Sequence, residues 1–486
     1  MPRSTSTLER LSELDDALEH AADYATWLQV AAEVDQATGA AEWRDEVGSP
    51  IYDARLLRTE TAELARRREA GDALGLVDAV EASLRRHRGD LAAPELYTTA
   101  LCGTQNTITA WLDEVAQSLN WLVDASVPGL SDAMKLERFR TAARVYGRSA
   151  LVLSGGATWG FHHLGVVAAL FENDLLPDVW SGASTGAMVA AGMCTRTDAE
   201  LASLFADTDQ MRLDGLKPVG LRESLRTRAW LDPNQLDAVL RNNVGVYTFA
   251  EAFAHSGRVL NISVAPVRSR QKPLLLSHLT TPDVWVHSAA LASSSLPGLF
   301  PPAVLWARSR SGGSVPYTSD ERWIDGSLYA DLPKLRLARL YNVNHFILSQ
   351  TNPHALPFVR LNGRSGVLPA LASVASSTAR AQGGMALELV QKVTRPGRGP
   401  VRQVAERGLA LFGQSYRGDI DIHPRFRLEL LRKVAVNPTR ADLDMFIREG
   451  KKAVWPVLAR IRDQTRIERT FQACVKRLER RSTDCP

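Results

Sequence analysis

The chain has few cysteines and no long apolar run. Cys102, Cys194, Cys474 and Cys485 are scattered over 486 residues without a C-x-x-C spacing. This speaks against a disulfide framework and a cysteine-rich zinc site, and for a reducing compartment. No stretch reaches the roughly 18 apolar residues that a membrane-spanning helix requires. The longest apolar run, Gly186 to Cys194, is short and Gly/Ala-rich, which suits a buried helix. Met1 to Arg10 has no apolar core of the kind a signal peptide carries. Asp484-Cys485-Pro486 does not fit a prenylation box. The expected location is therefore cytoplasmic, with at most peripheral contact with a membrane. The chain also lacks a fixed-period repeat, a low-complexity tract, a zinc finger and any aromatic-interleaved basic motif, so nucleic acid is not an expected partner.

What is present is the composition of a folded protein, 45% hydrophobic and 23% charged, long enough for two or three domains. Residues 1–147 read as helical, with apolar positions at helical spacing in Leu18-Ala22-Ala25-Leu28 and Leu76-Val80-Leu84. The pattern changes at Ser149. Short apolar runs of strand length follow at Ala150–Leu153, Val179–Ser181, Val259–Val264 and His345–Ser349, separated by helical segments. That alternation predicts an α/β sheet, mostly parallel and covered on both faces, over 148–345. Residues 346–486 read as a mostly helical extension.

Three short motifs carry chemistry. Gly182-Ala183-Ser184-Thr185-Gly186 is a G-x-S-x-G between a strand and an Ala-rich helical run. A nucleophilic serine on a sharp strand-to-helix turn needs small neighbours on both sides, and the helix N-terminus favours developing negative charge. The same five residues also suit a small-residue turn without chemistry. Ser154-Gly155-Gly156-Ala157 stands at another strand end, where successive backbone N–H groups can face one concavity and hold an oxyanion. It also reads as a tight turn, or as a degraded dinucleotide loop in which Ala157 replaces the second glycine. Asp325-Gly326-Ser327 ends an apolar run, and D-G is a common turn dipeptide. A histidine-based triad stays open, since His345, His354 and His423 follow Asp325 in the chain. His162 and His163 follow the glycine loop closely enough to line a site. His278 and Asp283 form an H-x4-D pair of the acyltransferase kind, a spacing that also arises by chance.

The three motifs, in this order, resemble those of patatin-like phospholipases. The likeness extends to Tyr52-Asp53, Tyr146-Gly147-Arg148, Ala292-Ser293-Ser294-Ser295-Leu296-Pro297-Gly298 and Tyr416-Arg417-Gly418-Asp419-Ile420, as in the subgroup of yeast and plant triacylglycerol lipases with an N-terminal DUF3336 domain. The resemblance implies a three-layer α/β/α patatin-like sandwich between the helical segments. It further implies a Ser184–Asp325 dyad, an oxyanion hole at Gly155, Gly156 and Ala157, a lipid ester substrate, and need of neither cofactor nor metal. Two positions depart from the usual G-G-G-x-[KR]-G, with Ala157 in place of the third glycine and Trp159 in place of the basic residue. A lysophospholipid acyltransferase and a catalytically silent lipid-binding scaffold are the alternatives.

The net charge of +4 conceals an asymmetry, with 23 Lys/Arg against 12 Asp/Glu from Arg380 onward. Lys392, Arg395, Arg398, Arg402 and Arg407, interleaved with Val393, Val401, Val404 and Leu409, could dock on an anionic membrane or lipid-droplet surface. A solvated helical surface reads the same way.

Overall fold

A computed structural model describes residues 5–85, 89–127, 130–268, 271–327, 332–352, 417–425 and 433–483. It divides into two compact units, Met1–Ser149 with Val454–Pro486, and Ala150–Ala453.

The first unit is helical. Of its expected periodic positions, Leu76 and Val80 are buried in one core with Leu57, Leu64, Val115 and Leu119, joined by Phe471 and Leu478 from the chain's final helix. Ala22, Ala25 and Leu28 are exposed, because the chain breaks between the helices Thr5–His20 and Tyr24–Thr38 and no single stripe forms. Gly39 ends one helix in a left-handed conformation, and Asp23, Asp53 and Ser131 cap the starts of others through their side chains.

The second unit is built on a sheet. In chain order its strands are β1 (Arg148–Leu153), β2 (Val179–Gly182), β3 (Val259–Pro266), β4 (Leu274–Ser277), β7 (Trp323–Asp325), β8 (Val343–Ser349) and β9 (Ile420–Ile422). A separate two-stranded ribbon pairs β5 (Trp306–Arg308) with β6 (Ser314–Pro316). The main order is β4-β3-β2-β1-β8-β9, with β7 also paired to β3. The β1–β2, β2–β3 and β8–β9 pairs are parallel, as the strand–helix alternation predicted. β2 and β3 are buried at every residue, so both faces are covered. Ala150, Val152, Val179 and Val259 pack on Leu337 and Tyr341 of the helix Lys334–Tyr341. By the two-residue alternation of a strand, Leu151, Leu153, Trp180 and Leu260 face the opposite layer. This is the three-layer arrangement expected from the sequence.

The expected domain limit between 345 and 346 falls inside β8. β9 pairs with β8 in the same sheet, and the helix Arg440–Thr483 contributes residues to both units. The basic positions Lys392, Arg395, Arg398, Arg402 and Arg407 lie outside the described residues, as does His354. Among the described residues, no helix is long and apolar enough to cross a membrane, and Cys102, Cys194 and Cys474 are free thiols.

One detail of the sheet decides where the site forms. β2 pairs with Val259 to Ile262 and then leaves. Val264 pairs with Leu274 of β4 and also with Asp325 of β7, so β7 must occupy the edge that β2 has vacated. The end of β2 and the end of β7 therefore meet over one stretch of β3. Ser184 follows the first and Asp325 closes the second, so residues 141 positions apart in the chain become neighbours.

Candidate active site

Ser184 sits at φ 53°, ψ −128°, a strained setting for a side chain that is not glycine, between β2 and the helix Thr185–Cys194. The turn closes only because Gly186 has no side chain, since a Cβ there would run into the carbonyl oxygens of Leu153 and Ser154. The gap on β3 between its β2 and β7 partners is also used. The Ser263 carbonyl accepts a hydrogen bond from Ser293 Oγ at 2.7 Å, and Ser293 Oγ accepts one from the Ser184 N–H at 3.0 Å. A backbone acceptor left by the break in strand pairing thus helps fix the serine's own backbone.

Asp325 is buried, with 2% of its surface exposed. Its N–H donates to the Ser295 carbonyl at 3.1 Å, and its Oδ1 accepts from the Ser327 N–H at 2.8 Å. The Ser184 side chain is near enough to the same carboxylate to help lower its pKa. A Cβ on Gly326 would strike the Ser263 carbonyl oxygen, so glycine at this position lets the strand end lie flat on β3. Burial pushes the Asp325 carboxyl up to about 6, against Ser184 and Ser327, which lower it. Burial thus makes the Asp325 carboxylate a stronger base than one in water.

The glycine loop lies beside them. A Cβ on Gly155 would be 3.3 Å from Ser184 Cβ. The Ser154 carbonyl accepts from His163 Nε2 at 2.9 Å. The Gly155 carbonyl accepts from Ser154 Oγ at 2.9 Å and from Thr351 Oγ1 at 3.1 Å. In a trans peptide the N–H points opposite the C=O, so these bonds set the direction of the Gly155 and Gly156 N–H groups. Ala157 has φ 48°, a left-handed conformation that a third glycine would adopt without strain, and Thr185 Oγ1 holds its carbonyl at 2.8 Å.

His163, which its place in the chain suggested could line the site, stands behind the glycine loop instead. A carbonyl can only accept, so Nε2 must carry the proton, and Nδ1 then accepts from Ser349 Oγ at 2.7 Å. Burial lowers its pKa to about 4, so the ring is a neutral brace for the loop. His162, fully buried with neither ring nitrogen hydrogen-bonded, is lowered to about 3. Neither histidine bonds the Asp325 carboxylate, whose neighbours are Ser184 and Ser327. His345 lies near the start of β8, half-buried. His278 stacks on Phe253 with ring centroids 4.1 Å apart, and neither it nor Asp283 lines the cavity that reaches Ser184.

That cavity has a volume of about 130 Å3. Ser184, Thr185 and Ala157 form part of its wall, and Met188, Met193, Leu204, Leu236, Leu240 and Phe300 make most of the remainder apolar. Its shape and chemistry suit a hydrocarbon chain with one polar group held at the serine.

Residues 151–336 match the model described as "Patatin-like phospholipase", and residues 4–144 match "Domain of unknown function (DUF3336)". Triacylglycerol lipase ptl3 of Schizosaccharomyces pombe is 31% identical over 97% of this chain and 99% of its own length. The chain belongs to the patatin-like phospholipase family. It is also 33% identical to triacylglycerol lipase SDP1L of Arabidopsis thaliana, over 93% of this chain and 57% of the relative, and 31% identical to triacylglycerol lipase 4 of Saccharomyces cerevisiae, over 92% and 51%. The chain thus spans little more than half the length of these last two relatives. Within this patatin-like unit the second departure from the usual glycine motif has a packing role. Trp159 is buried against Phe446, where a cationic side chain would have no place.

Proposed function

We propose that this chain hydrolyses lipid esters, triacylglycerol or phospholipid, through a Ser184–Asp325 dyad and an acyl-enzyme. The observation that carries the reading is a strained Ser184 at the wall of an apolar cavity, beside the buried Asp325 carboxylate whose pKa it helps to set. Relatives named triacylglycerol lipase support the substrate class.

In the first step Ser184 Oγ attacks the ester carbonyl carbon and its proton passes to Asp325. The carbonyl oxygen becomes an oxyanion, received by backbone N–H groups of the Gly155–Ala157 loop. Collapse of the tetrahedral intermediate breaks the bond to the leaving alcohol, which takes the proton from Asp325. A water molecule then gives its proton to Asp325, attacks the acyl-serine and releases the fatty acid. Asp325 returns the proton to Ser184, so each cycle is proton-neutral at the dyad. An aspartate of ordinary pKa near ~3.9 is a feeble base at neutral pH. The raised value at Asp325 reduces that deficit.

A panel of triacylglycerol, diacylglycerol and phospholipid, each assayed with wild type and Ser184→Ala, tests the proposal. At least one of these esters is expected to be cleaved by the wild type and none above background by the variant. Equal cleavage by both proteins would remove Ser184 from the mechanism. The basic segment around Lys392 to Arg407 remains part of the proposal as a membrane contact. The acyltransferase alternative gains no support from the positions of His278 and Asp283.

A further inference from the structure

The segment between Lys217 and Leu231 is an excursion from the cavity wall. At its base Leu216 and Leu231 line the cavity, and Pro218 bridges Leu231. The Val219 N–H donates to the Trp230 carbonyl at 3.0 Å, and the Trp230 N–H to the Leu299 carbonyl at 3.1 Å. Leu299 is also a wall residue. The far end carries the helix Leu221–Thr227. Ser224 and Ala229 are buried and pin this segment down, while Leu221 is 68%, Leu225 73% and Trp230 60% exposed. Leu221 and Leu225 are four residues apart, on one side of the helix. A single exposed leucine is ordinary, but three large apolar side chains within ten residues form a surface that water does not favour.

The charges around them have one dominant sign. Lys217, Arg222, Arg226 and Arg228 are exposed, and the segment's one acid, Glu223, is paired with Arg226 at 2.5 Å. Apolar side chains ringed by cations match a phospholipid surface with anionic headgroups: the apolar groups enter the acyl boundary while the cations remain among the headgroups. Tryptophan, with its apolar ring and polar N–H, suits that boundary.

We infer that Leu221, Leu225 and Trp230, with Lys217, Arg222 and Arg228, form a docking surface for an anionic phospholipid surface. Docking there sets the lipid against the same loop that walls the cavity leading to Ser184. This assignment rests on the proposed lipid-ester reading for its purpose. It is distinct from the basic segment around Lys392, and it has its own assay.

Flotation of the full chain is compared with vesicles of phosphatidylcholine alone and of phosphatidylcholine with phosphatidylglycerol. Wild type is expected to bind the mixed vesicles more tightly. The triple variant Leu221→Ser, Leu225→Ser, Trp230→Ser is expected to bind them roughly tenfold or more weakly, because the apolar area it inserts is gone. Its hydrolysis of a dissolved short-chain ester stays at the wild-type rate, while its hydrolysis of vesicle-borne lipid falls with binding. A second variant, Arg222→Glu with Arg228→Glu, sits at exposed positions and is expected to lose the preference for mixed vesicles. Wild-type vesicle affinity in both variants overturns the inference. So does a triple variant whose change is in self-association and not in vesicle binding. If the Ser184 mechanism itself is wrong, wild type and Ser184→Ala treat the dissolved ester alike while the difference in vesicle binding persists.

Discussion

Replacing Asp325 with asparagine is expected to lower kcat/KM for a dissolved ester by roughly 10²–10⁴-fold, the range typical of a lost general base. The same change is expected to make the fold more stable at neutral pH. Asparagine has nearly the shape of aspartate and keeps an oxygen for the Ser327 N–H, but it cannot take the Ser184 proton. The stability gain follows from burial. The Asp325 pKa is raised to about 6 in the folded chain, so the folded state binds this proton more tightly than the unfolded state does. The favourable contribution is complete below the unfolded value near ~3.9 and is lost as pH rises through about 6. Above that, the wild type keeps a desolvated charge that the variant lacks, a difference on the order of 3 kcal/mol. Urea melts at pH 4 and pH 8 check it. The two proteins should unfold together at the lower pH and separate at the higher one, with the inactive variant the more resistant.

The second large effect is in the pH profile of the wild type. Because only the ionised Asp325 accepts the proton of Ser184, kcat/KM for a dissolved ester should climb about tenfold per pH unit up to about 6 and then level off. A carboxylate in water would place that limb two units lower, near ~4. The buried histidines after the glycine loop give no alternative source for it, since burial lowers His163 to about 4 and His162 to about 3. Carboxyl ionisation absorbs little heat whereas imidazole ionisation absorbs much. The limb should therefore hold its position between 15 and 35 °C on the order of the scatter of such profiles, and a marked temperature shift would assign it to a histidine. Profiles measured from acid to alkaline pH at both temperatures decide the matter.

Much of this site is legible in the sequence because its demands are local. The G-x-S-x-G around Ser184 records a backbone turn that admits no Cβ at Gly186, and Asp325-Gly326 records a strand end pressed on β3. The strand runs at Ala150, Val179, Val259 and His345 all appear, as buried parallel strands of continuous apolar character should. What sequence reading did not give are the long-range polar contacts. Ser293 holds the Ser184 N–H from 109 residues away, and Thr351 holds the Gly155 carbonyl from 196. Ser293 lies in the Ala292–Gly298 stretch that carries the family likeness, but no local pattern gives the contact of either residue, because each acts only once the sheet is assembled. β7 is three residues long and antiparallel to β3, too short for a periodicity to show. β9 is similarly short, and its Ile420 and Ile422 read as part of a helical tail until β8 gives them a partner.

His163 illustrates the same limit from another side. Its place in the chain, just after the glycine loop, suggests a residue facing the site. Its hydrogen bonds to the Ser154 carbonyl and Ser349 Oγ put it behind the loop instead. The distinction depends on which face of the helix His162–Glu172 meets the sheet, and two adjacent histidines do not reveal it.

The most direct measurement is the site of covalent capture. The intact chain is incubated with a fluorophosphonate probe, weighed by mass spectrometry and then mapped by peptide. One adduct on Ser184 is expected, absent from Ser184→Ala and formed far more slowly in Asp325→Asn. Capture at another residue, or equal labelling of all three proteins, would contradict a nucleophilic Ser184 served by Asp325.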